Sequence, residues 1–173
     1  MSVMALVIAI DVGIKNLGLC AYDFVTSQIV HWDNAALVQN GRYTPSQNVQ
    51  YVRDFIWKHS HLFENCQTLV IERQMRCNMR IIESVFQTLY FDRCRVMNPR
   101  SIKMHYNLSA RNYRGNKQKA VAYADKFTGE NAQVFSDGLV EKYQKSAKKD
   151  DYADALLMIL YYLDTYSNQL SVH

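Results

Sequence analysis

Glycine and proline are scarce in this chain, six and two among 173 residues, which excludes long flexible or proline-rich linkers. The length suits one domain over residues 1–173, enough to bury a real core. Cysteine is also sparse: Cys20, Cys66, Cys77 and Cys94 form no CxxC pair, and reduced, mostly buried thiols in a reducing compartment are expected. A structural zinc site combining Cys66 with His59 and His61 is disfavoured, because histidines two apart do not share a helix face. No apolar run approaches the roughly 20 residues of a membrane span. The opening stretch, residues 1–10, imitates a signal peptide but lacks a basic leader, and Asp11 interrupts it. A soluble, unexported, intracellular protein is expected.

What is present is the profile of a globular protein, 49% hydrophobic and 21% charged. Net charge is +4, which permits a polyanionic partner without demanding one. Twelve tyrosines supply packing area and groups that stack on bases or donate to phosphates.

Apolar periodicity orders the elements. Val7 to Asp11 (VIAID) is a β-branched run that predicts a buried strand, and Gly13 and Gly18 punctuate a turn. Leu19 to Phe24 and Gln28 to Trp32 complete an antiparallel meander, and Asn34 to Ser46 reads as a turn-rich connection. Helical spacing marks Val49 to Leu62, Asn78 to Phe91, Lys117 to Phe127 and Asp150 to Tyr166, while Thr68 to Glu72 and Arg95 to Asn98, ended by Pro99, are strands. Ser109 to Gly115 is a basic loop, and Gly129 to Ser146 is poorly defined. The order βββ-α-β-α-β-α-α predicts an α/β fold: a central mixed five-stranded sheet, meander plus parallel strands, with helices on both faces.

Four acids stand where chemistry would need them. Two-metal phosphodiester hydrolysis requires carboxylates converging on hard cations, one ion activating water and the other stabilising the leaving oxygen. Asp11 ends an apolar strand, where an ionised carboxylate is costly unless solvated or paired; alone it also suits a turn before Gly13. Glu72 ends the run Leu69–Val70–Ile71; alone it suits a surface pair with Arg73. Asp151 and Asp154, three apart, share a face at the start of the last helix; alone they suit the helix dipole. Asp150 is expected to be a solvated neighbour of Lys148 and Lys149.

Together these segments resemble the motifs of the RuvC-type resolvases of the RNase H-like superfamily. IAIDVGIKNLGLCAYD is similar to their opening Asp followed by Gly-x-x-x-x-Gly, TLVIERQ to their second motif, and KKDDYADALLMILYYL to their closing Asp-x-x-Asp-Ala. The match looks closest to the poxvirus Holliday junction resolvases. The resemblance implies an RNase H-like fold and a metal-dependent endonuclease making paired, symmetric nicks in four-way and branched DNA. It implies Asp11, Glu72, Asp151 and Asp154 as metal ligands and catalytic acids. It also implies a catalytic lysine at the start of the preceding helix, for which Lys117 is favoured over Lys119. Some relatives carry histidine where this chain has Asp151. Four hard oxygen donors favour Mg²⁺, with Mn²⁺ able to substitute, two ions per site. No nucleotide cofactor and no membrane are implied, and localisation would be the host cytoplasm at viral replication sites.

Basic residues cluster at Arg73, Arg76 and Arg80, and again at Arg100, Lys103, Arg111, Arg114, Lys117 and Lys119, with Tyr106 and Tyr113. DNA contacts are expected from Arg73, Arg76, Arg80, Arg111, Tyr113, Arg114 and Lys119; the bland reading is a solvated basic face. The amphipathic segment Asn78 to Phe91, with Phe86, Tyr90 and Phe91, would by resemblance lie at a homodimer interface, and a two-fold dimer matches the two symmetry-related strands of a junction. Three rivals remain: an RNase H-like enzyme acting on RNA or hybrids, an ATP-binding kinase of the sugar-kinase and actin superfamily, whose first phosphate motif DVGIKNLG also resembles, and a binding module without chemistry. The kinase reading needs two lobes, and the third predicts eroded acids.

Overall fold

A computed structural model describes residues 4–39 and 41–166. The chain opens with three strands, β1 (Leu6–Asp11), β2 (Leu17–Asp23) and β3 (Gln28–Ala35). Helices α1 (Asn48–Lys58) and α2 (Ser60–Phe63) lead to β4 (Cys66–Glu72), α3 (Cys77–Leu89) and β5 (Cys94–Met97). Helices α4 (Pro99–His105), α5 (Tyr113–Glu130), α6 (Leu139–Lys145) and α7 (Lys149–Tyr166) follow. The sheet order is β3-β2-β1-β4-β5. The meander β1–β2–β3 is antiparallel, and β4 and β5 add parallel strands, giving the mixed five-stranded sheet the element order predicts.

Side-chain alternation sorts the strands onto two cores. Val7, Ala9, Cys20, Trp32 and Val70 face α5, α6 and α7, while Leu6, Ile8, Ile10, Leu19 and Ile71 face α1, α2 and α3. Helix α7 lies across the first face and buries Tyr152, Ala153, Ala155, Leu156, Leu157, Met158, Ile159 and Tyr162. Its anchor on the sheet edge is Trp32, whose Nε1 donates to the Tyr152 carbonyl at 2.8 Å and whose ring stacks on Tyr143 at 4.5 Å. Phe135 and Tyr152 close the aromatic cluster.

Several expected boundaries move. Strand β3 runs on to Ala35, so Asn34 is strand rather than connection. The helix expected over 49–62 breaks at His59, whose backbone leaves the helical region. Pro99 opens a helix instead of merely ending a strand: its missing N–H suits the first helical position, and the Asn98 side chain caps the Arg100 amide at 2.9 Å. Helix α5 starts at Tyr113, capped by Asn112 onto Gly115 N at 2.7 Å, so Lys117 lies one turn inside it and does not open it. Gly129 to Ser146 includes a helix, α6. The thiols are free as expected, although Cys77 is exposed. Phe86, expected at an interface, is fully buried beneath the sheet, whereas Phe91 is 83% exposed. Among the described residues no helix is long and apolar enough to cross a membrane.

Candidate active site

Strand parity assembles the site. Val7, Ala9 and Asp11 alternate onto the α7 face of β1, as Val70 and Glu72 do on β4. Ile10 pairs with Ile71 across the parallel ladder, so Asp11 and Glu72 come one residue later on adjacent strands, where the strands stop and the face opens. The first two turns of α7 close over them with Asp151 and Asp154. The four acids line one cleft of about 520 Å³ with Asn16, Arg73, Gln74, Arg76, Lys103, Tyr113 and Lys117.

Two glycines make that closure possible. Asp11 pairs with Gly18, and Gly18 with Asn34, in one row across three strands. A Cβ on Gly18 would stand 2.3 Å from the Asp151 carbonyl oxygen, so the bare backbone there lets α7 sit directly on the sheet. At Gly13 a Cβ would stand 1.8 Å from the Asn16 carbonyl, which fixes the tight turn after Asp11. At the far end of the row, the Asn34 amide donates to Asp151 Oδ2 at 2.8 Å. Asn34 is a site residue that sequence reasoning missed; its place two residues after the core-facing Trp32 was the available signal.

The electrostatics are those of buried carboxylates crowded together. Burial, then the charges of Glu72, Asp154 and Asp151, raise Asp11 well above the usual carboxylate range against the pull of Lys117. Burial and Asp154 push Glu72 up to about 7, opposed by Lys103 and Lys117. Burial lifts Asp154 to about 6 against the same two lysines, and lifts Asp151 with help from Asp150. Each acid keeps some solvent access, and it is on the cleft side that they meet.

Lys117 is the cation held over this cluster. Its ammonium pairs with Asp150 and lies over the Tyr113 ring at 5.2 Å. Burial pulls its pKa down, but the bonds to Asp150 and Tyr113 outweigh that, so it stays charged. Asp150 is therefore not the solvated neighbour of Lys148 and Lys149 that was expected; it turns to Lys117 and is 23% exposed. Lys119 points elsewhere, donating to the Ser109 carbonyl at 2.7 Å. Of the expected DNA contacts, Arg73, Arg76 and Tyr113 line the cleft. Arg80, Arg111, Arg114 and Lys119 are exposed outside its lining.

The donor set fits hard divalent cations. Four carboxylates outnumber the lysines that reach them, and their raised pKa values mark negative charge that protein atoms leave uncompensated. Among the described residues no three His, Cys, Asp or Glu side chains are already arranged to hold an ion. That is expected of repelling carboxylates with no cation between them.

The poxvirus A22 protein family model matches residues 5–165. The chain belongs to that family. Among solved structures, the yeast mitochondrial Holliday junction resolvase Ydc2 is similar at 18% identity and TM-score 0.68, covering 95% of this chain and 85% of that one. The fowlpox virus resolvase in complex with Holliday junction DNA is similar at 16% identity and TM-score 0.66, covering 92% and 97%. Thermus thermophilus RuvC with its junction substrate follows at 12% identity and TM-score 0.54, covering 94% and 96%. These likenesses place the family member in the RNase H-like fold. A comparison with curated proteins finds no match.

Proposed function

We propose that this chain is a Holliday junction resolvase, a structure-selective endonuclease that hydrolyses phosphodiesters in four-way and branched DNA by paired, symmetric nicks. The observation that carries the reading is the convergence of Asp11, Glu72, Asp151 and Asp154 in one cleft beside Lys117, in a member of the poxvirus A22 protein family whose fold is shared with junction resolvases. The family match speaks against the kinase reading, and a module without chemistry would not retain four crowded acids at such electrostatic cost.

The four acids would hold two Mg²⁺ or Mn²⁺ ions, which when bound supply an activated water and stabilise the leaving 3′-oxygen. The protein's own contribution is positional. Asn34 and the Gly18 contact fix Asp151; strand ends fix Asp11 and Glu72. Lys117, oriented by Asp150 and Tyr113, presents a charged donor to the phosphate in its pentavalent state. The products are a 5′-phosphate and a 3′-hydroxyl. Arg73, Arg76, Lys103 and Tyr113 guide the strand into the cleft, and the exposed Arg80, Arg111, Arg114 and Lys119 extend the basic surface.

A single nuclease domain has one such cleft, so paired nicks need a homodimer. Helix α3 supports one: beside the buried Phe86, its outer side leaves Ile81 42%, Leu89 47% and the following Phe91 83% exposed. From the family we infer that the substrate is replicated viral genome junctions and that the protein acts inside the host cell, at cytoplasmic replication sites. The test is cleavage of an end-labelled four-way DNA junction with Mg²⁺ or EDTA, mapping nicks on all four strands. Paired symmetric nicks only with metal are expected. Tight binding without nicks in Mg²⁺ or Mn²⁺ overturns the enzyme, and an inert, unbound junction redirects the same cleft to RNA or RNA–DNA hybrids.

A further inference from the structure

Helix α3 buries three side chains, Ile82, Glu83 and Phe86. Ile82 and Phe86 belong to the core beneath the sheet, but Glu83 is an acid that the proposed chemistry does not use. It is 8% exposed, and among the described residues no Lys, Arg or His forms an ion pair with it. A buried acid without a cation is poorly explained by stability, because an apolar side chain of similar volume serves as well or better. Its carboxyl group reaches off the helix to a loop: Oε2 accepts from the Gln74 amide at 2.8 Å.

That amide stands two residues after Glu72. Each residue that follows β4 is tied to something different. Arg73 N donates to the Met97 carbonyl at 2.8 Å, at the end of β5. Gln74 N is held by α3 through Glu83. The Gln74 side chain then turns back, and its Nε2 donates to the Glu72 carbonyl at 3.0 Å. Glu72 is the last residue of β4, and the pairing with β1 stops one residue earlier, at Ile71. Strand pairing thus holds Glu72 from one side, and Gln74 supplies a further hold on its peptide plane. The start of α3 offers no other anchor for this loop, since Arg76 makes no side-chain cap and the first turn has no acid.

We propose that Glu83 is a positioning residue for the metal-binding end of β4. Through the Gln74 amide it keeps the Gln74 side chain on the Glu72 carbonyl, and so fixes the direction in which Glu72 presents its carboxylate to the cations. The inference rests on the nuclease reading above. Glu83 is outside the lining of the cleft, so it acts through Gln74 and not as a fifth ligand. Arg73 and Arg76 are long and exposed and can reach phosphates from a relaxed loop. The effect therefore falls on metal binding and not on DNA affinity.

The test compares Glu83→Gln, which keeps an acceptor in place, with Glu83→Met, which fills similar space with none. Replacing a buried acid by an apolar group leaves no charge behind, so E83M should melt at or above the parental temperature. Its Mn²⁺ binding without DNA, read from the electron paramagnetic resonance signal of free Mn²⁺, is expected to weaken roughly 10- to 100-fold. The Mg²⁺ concentration that half-saturates junction nicking should rise to match, with junction affinity in EDTA parental and E83Q near parental throughout. Gln74→Ala should reproduce E83M, and the double variant should be no worse than either, because residues that act through one another are not additive. Ile82→Val, a core trim on the same helix, should lower the melting temperature and leave Mn²⁺ binding alone. Parental Mn²⁺ binding by E83M overturns the proposal. So do equal losses in E83Q and E83M, additive losses in the double variant, or an E83M protein that melts well below the parental one. A parental protein that binds Mn²⁺ but cuts no junction overturns the nuclease reading instead, and the Mn²⁺ comparison still decides the role of Glu83.

Discussion

Replacing Gly18 by alanine would test the site without removing any functional group. The added Cβ would lie 2.3 Å from the Asp151 carbonyl oxygen, 3.1 Å from its carbon and 3.2 Å from Ala155 Cβ. Non-bonded heavy atoms prefer about 3.5 Å, so α7 and β2 must separate by roughly 1 Å at their closest point. Both sides of the clash are backbone, which cannot rotate away. The displacement falls on the turn that carries Asp151 and Asp154, and so moves them relative to Asp11 and Glu72. A 1 Å misplacement at a reacting centre costs about 10²-fold in rate, while overpacking of this kind costs about 1–3 kcal/mol of stability, which a domain of this size survives. The assay is the initial rate of junction nicking in saturating Mg²⁺, alongside thermal unfolding and junction affinity. The expected outcome is a rate down by about two orders of magnitude in a folded protein whose affinity is nearly parental. Gly129→Ala is the control: a Cβ there meets nothing within 4 Å, it lies inside α5, and alanine should add about 0.4–1 kcal/mol of stability with the rate unchanged. Parental cleavage by G18A would refute the claim that the Gly18 contact sets the acid geometry.

Asp151→Asn should reduce nicking more than the roughly 10- to 100-fold typical of a residue that only supports a ligand, yet bind junctions normally in a mobility-shift assay. Asn34→Ala, which removes the amide held 2.8 Å from Asp151, should fall within that smaller range and be partly rescued by high Mg²⁺. Lys117→Ala should lower the rate about 10²- to 10³-fold while Lys119→Ala changes it little, a contrast read from single-turnover kinetics of both variants; equal effects would move the catalytic cation elsewhere. The pH dependence has a definite sign. Glu72, near 7, and Asp154, near 6, have folded-state pKa values above those of free carboxylates, so their stabilising contribution is present below about pH 4 and is lost as pH rises through 6 to 7. His31 and His59, held down by burial, act in the opposite sense over the same range, so the acids' share is read from Glu72→Gln: metal-free, its melting temperature should exceed the parental value by more at pH 7.5 than at pH 5, and Mg²⁺ affinity of the parental protein should fall as pH drops through the same window.

The sheet was readable because its two faces are both covered and its strands carry unmistakable β-branched runs. Asp11 and Glu72 stood out as the first charges at the ends of those runs, and the structure puts both on the α7 face because each follows the core residues of that face by two. Other features depend on partners far away in sequence. Asp150 and Lys117 are 33 residues apart, each beside other charges of similar appearance, and nothing local tells Lys117 from Lys119 or Asp150 from a solvated acid. Helix α6 is preceded by Gly138, at φ 79° and with no side-chain cap; what holds it is Tyr143 against Trp32, a contact no local propensity encodes. Pro99 illustrates an ambiguity of type: the same residue that ends a strand opens a helix, and only the cap from Asn98 decides between them.

The charge balance at the cleft also bears on how activity is switched on. Lys103 and Lys117 pull the acid pKa values down, but Asp11, Glu72, Asp151 and Asp154 all remain raised, so the protein alone does not neutralise its own site. A third lysine aimed into the cleft would correct this and stabilise the fold, but it would occupy the space and charge that divalent ions need. The cost of burying these charges, with their mutual repulsion, thus favours cation entry, since ions between the carboxylates offset both. Because such ions bind the folded site and not the unfolded chain, they add stability as they bind. Asp150 completes the arrangement: by holding Lys117 in an ion pair beside the acids rather than among them, it keeps that cation near the phosphate position without letting it take the place of a metal ion.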